Sequence, residues 1–150
     1  MASYVADVAW TVAAGDDYRG GRYARNHAIS FDGGATLKAS ASPHVVGKWS
    51  DPGAVDPEEM LVAALSSCHM LVFLHVARQA GFDIAAYRDH AEGTMGAVGP
   101  GRQAVTKVVL NPQVEWVGAA PDAAKLAELH HKAHEGCIIA NSVTTEVVVA

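Results

Sequence analysis

The run from Met60 to Ala77 holds no Lys, Arg, Asp or Glu and is about as long as the ~20 apolar residues that cross a bilayer. A segment of this kind is either wrapped by lipid or covered by protein. Ser66, Ser67, His69 and His75 interrupt it, and the flanking loops carry no Lys/Arg asymmetry of the sort that orients a membrane span. The expected structure is therefore a long central helix buried on every side by other protein. Its ends are marked. Asp56 is a good N-cap, Pro57 suits the first helical position and Glu59 stands in the capping-box place. Arg78 falls in the last turn, and Gly81 is placed to end the helix in a left-handed conformation. These signals predict a helix from Pro57 to Ala80.

Elsewhere the apolar period shortens to two. Tyr4–Val12, Ala28–Phe31, Leu37–Ser42, Ile84–Met95, Val105–Val117 and Val143–Val149 read as strands, separated by Gly-rich turns at Gly20-Gly21, Gly33-Gly34 and Gly99-Pro100-Gly101. The pair around Asp32-Gly33-Gly34 predicts a hairpin. A second helix is expected from Asp122 to Glu135, with Ala124, Leu126, Leu129 and Ala133 on its apolar side and Gly136 as its stop. This order fits an α+β fold of antiparallel strands packed around a central helix better than a doubly wound parallel sheet. Residues 1–150 read as a single domain, without repeats or a linker.

Half of the residues are apolar, 18% are charged and the net charge is −5. That balance excludes a disordered chain and offers no basic footprint for nucleic acid or an anionic membrane surface. Two cysteines in 150 residues are too few for a disulfide-stapled secreted scaffold, so a cytoplasmic, reducing setting is expected. The chemistry then narrows to Cys68 and Cys137. Cys68 lies about 16 Å from the start of its helix, beyond reach of the helix dipole. Leu61, Ala64, Leu65, Leu71 and Val72 share its face, a wall that raises a thiol pKa. Ionisation would need a cation from elsewhere in the fold. Cys137 follows Gly136 in a turn-like context that can present a thiol to a partner. A thiol on a rigid helix and a second on a loop suit peroxide reduction, in which a sulfenic acid condenses with a resolving thiol. Inert packing is the competing reading of Cys68.

The run Asp56-Pro57-Glu58-Glu59-Met60-Leu61-Val62-Ala63-Ala64-Leu65-Ser66-Ser67-Cys68-His69 resembles the central-helix signature of the OsmC/Ohr family, the osmotically inducible and organic hydroperoxide resistance proteins. His134-Glu135-Gly136-Cys137-Ile138-Ile139-Ala140-Asn141-Ser142 is similar to the family's second cysteine motif, and Tyr23-Ala24-Arg25-Asn26-His27 to a pattern of its OsmC-like branch. The resemblance implies an intertwined homodimer with active sites at its interface. It also implies a thiol-dependent peroxidase for organic hydroperoxides, without a cofactor, reduced by a dithiol or a lipoylated protein. Cys68 would be the peroxidatic thiol, Cys137 the resolving thiol, Arg25 or Arg22 the activating guanidinium with Arg25 preferred, and Glu58 the catalytic carboxylate. Ile138 departs from the Pro that many members carry after the second cysteine. Glu58 and Cys68 stand about 15 Å apart along one helix, so a shared site would need Glu58 from a partner subunit.

Two other functions compete. His130, His134, Cys137 and Cys68 could form a tetrahedral zinc set, although a histidine near a helix C-terminus is also favoured by the dipole. A non-catalytic module that binds a small apolar or thiol ligand on the same scaffold is the second. Trp49 and Tyr87 could wall a pocket or simply pack, and His75 reads as a core or interface residue. No Gly-rich phosphate loop precedes a helix, so nucleotide binding is unsupported.

Overall fold

The computed structural model describes residues 1–150, which divide into two compact units, Met1–Met60 and Leu61–Ala150. In the first unit, β1 (Ala6–Ala9), β2 (His27–Phe31) and β3 (Thr36–Ala39) form an antiparallel sheet in that order. The predicted hairpin is β2–β3, with Ile29 opposite Leu37 and Gly34 in the left-handed region at φ 86°, a conformation glycine adopts without a steric cost. The expected strand Tyr4–Val12 shrinks to β1, because its pairing runs only from Ala6 opposite Phe31 to Ala9 opposite Ala28, near the start of β2. A short helix α1 (Pro43–Val46) follows, capped by the Ser42 side chain with Pro43 in its first turn. The predicted strand through Ser42 stops short of it.

Helix α2 (Pro57–Gln79) has the capping box its sequence predicts. The Glu59 N–H donates to Asp56 Oδ1 at 2.8 Å, and the Asp56 N–H donates to Glu59 Oε2 at 3.0 Å. At the far end Gly81 takes φ 85°, the Phe82 N–H reaches the Ala77 carbonyl, and the Gly81 N–H reaches that of Arg78. This pairing closes the last carbonyls of a helix.

In the second unit, β4 (Asp83–Asp89) pairs antiparallel with β7 (Pro112–Val117), and β5 (Glu92–Gly99) pairs antiparallel with β6 (Arg102–Leu110), which pairs parallel with β8 (Glu146–Val149). The two long strands expected at Ile84–Met95 and Val105–Val117 are therefore each broken into two. The breaks are bonded to one another. Asp89 accepts the Asn111 N–H at 2.6 Å, and the Asn111 side chain donates to the His90 carbonyl at 2.9 Å. Both strands change sheets there, and Pro112 supplies no N–H to continue the old ladder.

α2 crosses both halves of this unit. Its first part packs Leu65 with Val108 and Leu110. Its second part packs Phe73 and Ala77 with Leu129 and Ala133 of α3 (Ala123–Gly136), against Ile84, Tyr87, Val114 and Trp116. Burying side chains of this size stabilises by about 1.5–3 kcal/mol each. Gly93 is needed on β5, since a Cβ there would stand 2.6 Å from the Val62 methyl of α2.

The central helix is not covered on every side. Its buried residues are Leu65, His69, Phe73 and Ala77, one stripe at i+4 spacing, while Leu71 is 61% exposed. A single chain covers one face of a helix whose composition calls for more.

Candidate active site

Cys68 sits half-buried on α2, and Cys137 is the buried C-cap residue of α3. The structure brings the two together: the Cys68 side chain lies beside the Cys137 thiol. Burial pushes the Cys137 thiol up, and the neighbouring Cys68 pushes it further, against the opposing pull of the Ala140 and Ile139 N–H groups. The Cys137 carbonyl accepts the Asn141 N–H at 3.0 Å, and its Sγ accepts the Ala140 N–H at 3.4 Å. Asn141 also donates to the Glu135 carbonyl at 3.0 Å, and Ser142 to that of Ile138 at 2.7 Å. The polar end of the second cysteine motif thus pins the turn that presents Cys137.

α3 ends at Gly136, as the sequence predicts, with the glycine as its last helical residue. A Cβ there would lie 3.0 Å from the Val72 methyl of α2, so glycine allows the two helices to approach next to Cys137.

The alternative zinc set of His130, His134, Cys137 and Cys68 does not form. No three of the His, Cys, Asp or Glu side chains are arranged to hold a metal ion. His130 faces His69 instead, Nδ1 to Nε2 at 3.1 Å, and stacks on Phe73 with ring centroids 4.3 Å apart. Burial, then the neighbouring His130 and His134, hold His69 down to about 4, with Asp89 pulling the other way. Burial lowers His130 also. Nothing in the sequence pattern signals this pair, because its members are 61 positions apart on different helices.

Arg25 and Glu58 belong to the first unit. The Arg25 guanidinium lies 3.4 Å from the centre of the Tyr23 ring and donates to the Tyr23 carbonyl. It makes no ion pair with a carboxylate, whereas Arg22, the alternative guanidinium, pairs with Asp17. Arg25 lines a cavity of about 420 Å³ with Trp10, Tyr18, Tyr23 and His27. The rings of Trp10, Tyr18 and Tyr23 contact one another at 4.9–5.7 Å between centroids. The His27 Nδ1–H donates to the Arg25 carbonyl at 2.8 Å, fixing the segment that carries the guanidinium. Glu58 Oε2 is buried without a hydrogen-bond partner. Trp49 offers its carbonyl to the Arg25 N–H, and Tyr87 packs on Phe73. Sequence reasoning missed the aromatic trio around Arg25. Its signal was Tyr18 and Tyr23 on either side of the Gly20-Gly21 turn.

An α+β scaffold that sets a cysteine of its long helix against a cysteine at the end of a second helix defines a thiol-pair protein. The sequence model of the family described as OsmC-like protein matches residues 50–150, and the chain belongs to the OsmC family. An OsmC-like protein of unknown function from Vibrio cholerae O1 biovar eltor is 47% identical, with a TM-score of 0.95 over 100% of this chain and 99% of that one. An organic hydroperoxide resistance protein OsmC from Legionella pneumophila shares the fold at 20% identity and TM-score 0.70, over 100% of this chain and 98% of that one. One from Elizabethkingia anophelis does so at 17% identity and TM-score 0.71, over 100% and 96%. Comparison with curated proteins gives no sequence match.

Proposed function

We propose that the chain is a thiol-dependent peroxidase that reduces organic hydroperoxides. The observation that carries this reading is the juxtaposition of the Cys68 and Cys137 side chains, one half-buried on the long helix and the other buried at the end of α3. The Cys68 thiolate attacks the outer peroxide oxygen, the O–O bond breaks, and the alkoxide takes a proton to leave as an alcohol. Cys68 becomes a sulfenic acid. The Cys137 sulfur then attacks the Cys68 sulfur, the S–O bond breaks, and the hydroxide leaves as water with the thiol proton. An external dithiol, such as a lipoyl group on a protein, returns two electrons by thiol–disulfide exchange.

Arg25 is the cation assigned to ionise Cys68, and Glu58 the carboxylate that orients the guanidinium. Support comes from the state of each: Arg25 is without a carboxylate partner, and a buried Glu58 oxygen is without any donor. An arginine suits the role because its charge persists and its planar fork meets a carboxylate at two points. The same sites require a homodimer, since about 15 Å of helix separates Glu58 from Cys68. A second copy would cover the apolar faces that α2 leaves open, including Leu71. A reducing cytoplasm is the setting in which this thiol pair stays ready.

Intact mass after one equivalent of cumene hydroperoxide tests the reading. A loss of about two protons, abolished in Cys68→Ser and in Cys137→Ser, is the expected result. An unchanged mass would leave the scaffold as a binding module for a small apolar or thiol ligand.

A further inference from the structure

We propose that the His69–His130 hydrogen bond is a register clamp that holds Cys137 in line with Cys68, which makes both imidazoles positioning residues for disulfide closure. The inference rests on the peroxidase reading. Closure transfers no further electrons from the peroxide: the Cys137 sulfur forms a bond to the Cys68 sulfur as the S–O bond breaks, and water leaves. Its rate is therefore set by approach geometry, and a misplacement of about 1 Å can cost a hundredfold.

Cys68 is fixed on α2, and Cys137 caps α3. What holds the helices together is mostly the apolar cluster of Phe73, Ala77, Leu129 and Ala133, and apolar burial has no preferred direction. The His69–His130 bond is directional. It leaves α2 one residue after Cys68 and reaches α3 about two turns before Cys137, while the close contact of Gly136 with Val72 lets the end of α3 settle beside it. His130 is also backed by Phe73, which keeps its ring from turning away.

The pair is not explained as a source of stability. His69 is only 1% exposed and its Nδ1 has no hydrogen-bond partner, whichever of the two rings donates. An orphaned buried polar atom costs about 1–3 kcal/mol, a cost that two apolar side chains of the same shape would avoid. What the pair supplies is a defined placement of one helix on the other, the use for which buried polar contacts are best attested. Neither imidazole is asked to touch the peroxide, since the position after Cys68 points about 100° away around the helix.

Stopped-flow oxidation by cumene hydroperoxide, with dimedone to trap sulfenic acid, tests this in wild type, His130→Phe and His130→Asn. His130→Phe leaves both nitrogens of buried His69 without a partner and is expected to melt lower than wild type while staying folded at about 25 °C and oxidising Cys68 at the same rate. Its disulfide closes about tenfold more slowly, and the dimedone adduct accumulates. His130→Asn, whose amide lies near the position of Nδ1, should close within about threefold of wild type. His69→Leu breaks the same bond from the other helix and should slow closure as His130→Phe does. Closure at the wild-type rate in His130→Phe and His69→Leu, or closure in His130→Asn as slow as in His130→Phe, would overturn the clamp while wild type still forms its disulfide. A wild type that forms neither adduct nor disulfide would remove the peroxidase reading and the clamp together.

Discussion

The two units are held together by different forces. In Met1–Met60 the buried hydrophobic residues are Ile29 and Ala39, whereas Leu61–Ala150 buries Leu65, Phe73, Ala77, Val108, Leu110, Leu129, Ala133 and Cys137. The first unit is stitched by carboxylates instead. Asp51 receives the Asn26 amide and the Gly53 N–H, each at 2.9 Å, and pairs with Lys38, while Asp16 receives the Ala24 N–H. Meanwhile Tyr4, Val5, Val8, Trp10, Val12 and Tyr18 remain exposed. The unit with the apolar core fixes the sulfur geometry. The polar-stitched unit leaves its apolar and aromatic side chains exposed.

The contrast is broken or sharpened first by truncating the largest buried side chain. Phe73→Ala removes a fully buried ring that packs on Ala77, Leu129 and Ala133, and such a loss costs about 3–5 kcal/mol. Trp10→Ala, at a residue 39% exposed, should cost about 1–2 kcal/mol, because partial burial, ring contacts with Tyr18 and Tyr23 and the indole N–H bond to the Ala24 carbonyl are lost. Thermal melts compare the two. Equal shifts would show that the first unit depends on apolar packing after all.

Acid should weaken the second unit before the first. His69 is held down to about 4 by burial and by His130 and His134, while in the unfolded chain it titrates near 6.5. Between those values the unfolded chain binds the extra proton, so stability falls as pH drops from about 6.5 to 4 and is insensitive to this group above 6.5. The loss from His69 is on the order of 2–3 kcal/mol. His130, also lowered, acts in the same direction. Melts from pH 7 to pH 4 should show this slope in wild type and a flatter one in His69→Phe. Identical slopes would mean the pair is not held neutral.

A smaller effect belongs to the start of α2. Asp56→Ala removes the acceptor of the Glu59 N–H and should cost about 1 kcal/mol, with a shorter helix by circular dichroism. No change would show that Glu59 or solvent closes the first turn unaided.

This capping box was fully legible in the sequence, because Asp56, Pro57 and Glu59 interact within four residues. The same is true of the β2–β3 hairpin at Gly33-Gly34. The thiol pair was legible through its two motifs. What the sequence hid depends on residues distant in the chain. The strand breaks at His90 and Asn111 are made by a bond across two strands, although Asn111-Pro112 was a local hint. Gly136 was legible as the end of α3, but its close contact with Val72 was not, because Val72 lies on another helix. His130 suggested a metal ligand because only its spacing to His134 is local, while its partner His69 is not.

The smallest expected effect is also the sharpest test of how the first unit is held. The Lys38 side chain, then the Gly53 N–H and the Asn26 amide, hold the Asp51 carboxyl below its ordinary value. Its stabilising contribution is present above the ordinary carboxylate range and is lost as pH falls below it, a lower window than that of His69. Its partners are accessible to water, and salt screens such pairs. Asp51→Ala should therefore leave the melting temperature of the whole chain nearly unchanged. It should speed amide exchange locally at Ser40, Gly53 and Val55, where the chain is crossed by the Ser40–Val55 backbone bond, and leave Phe73 and Leu129 as protected as before. Added salt should speed exchange at the first set in wild type and do little in the variant. Faster exchange spreading to Phe73 would mean that the two units open as one, and the division of labour between carboxylates and apolar core would not hold.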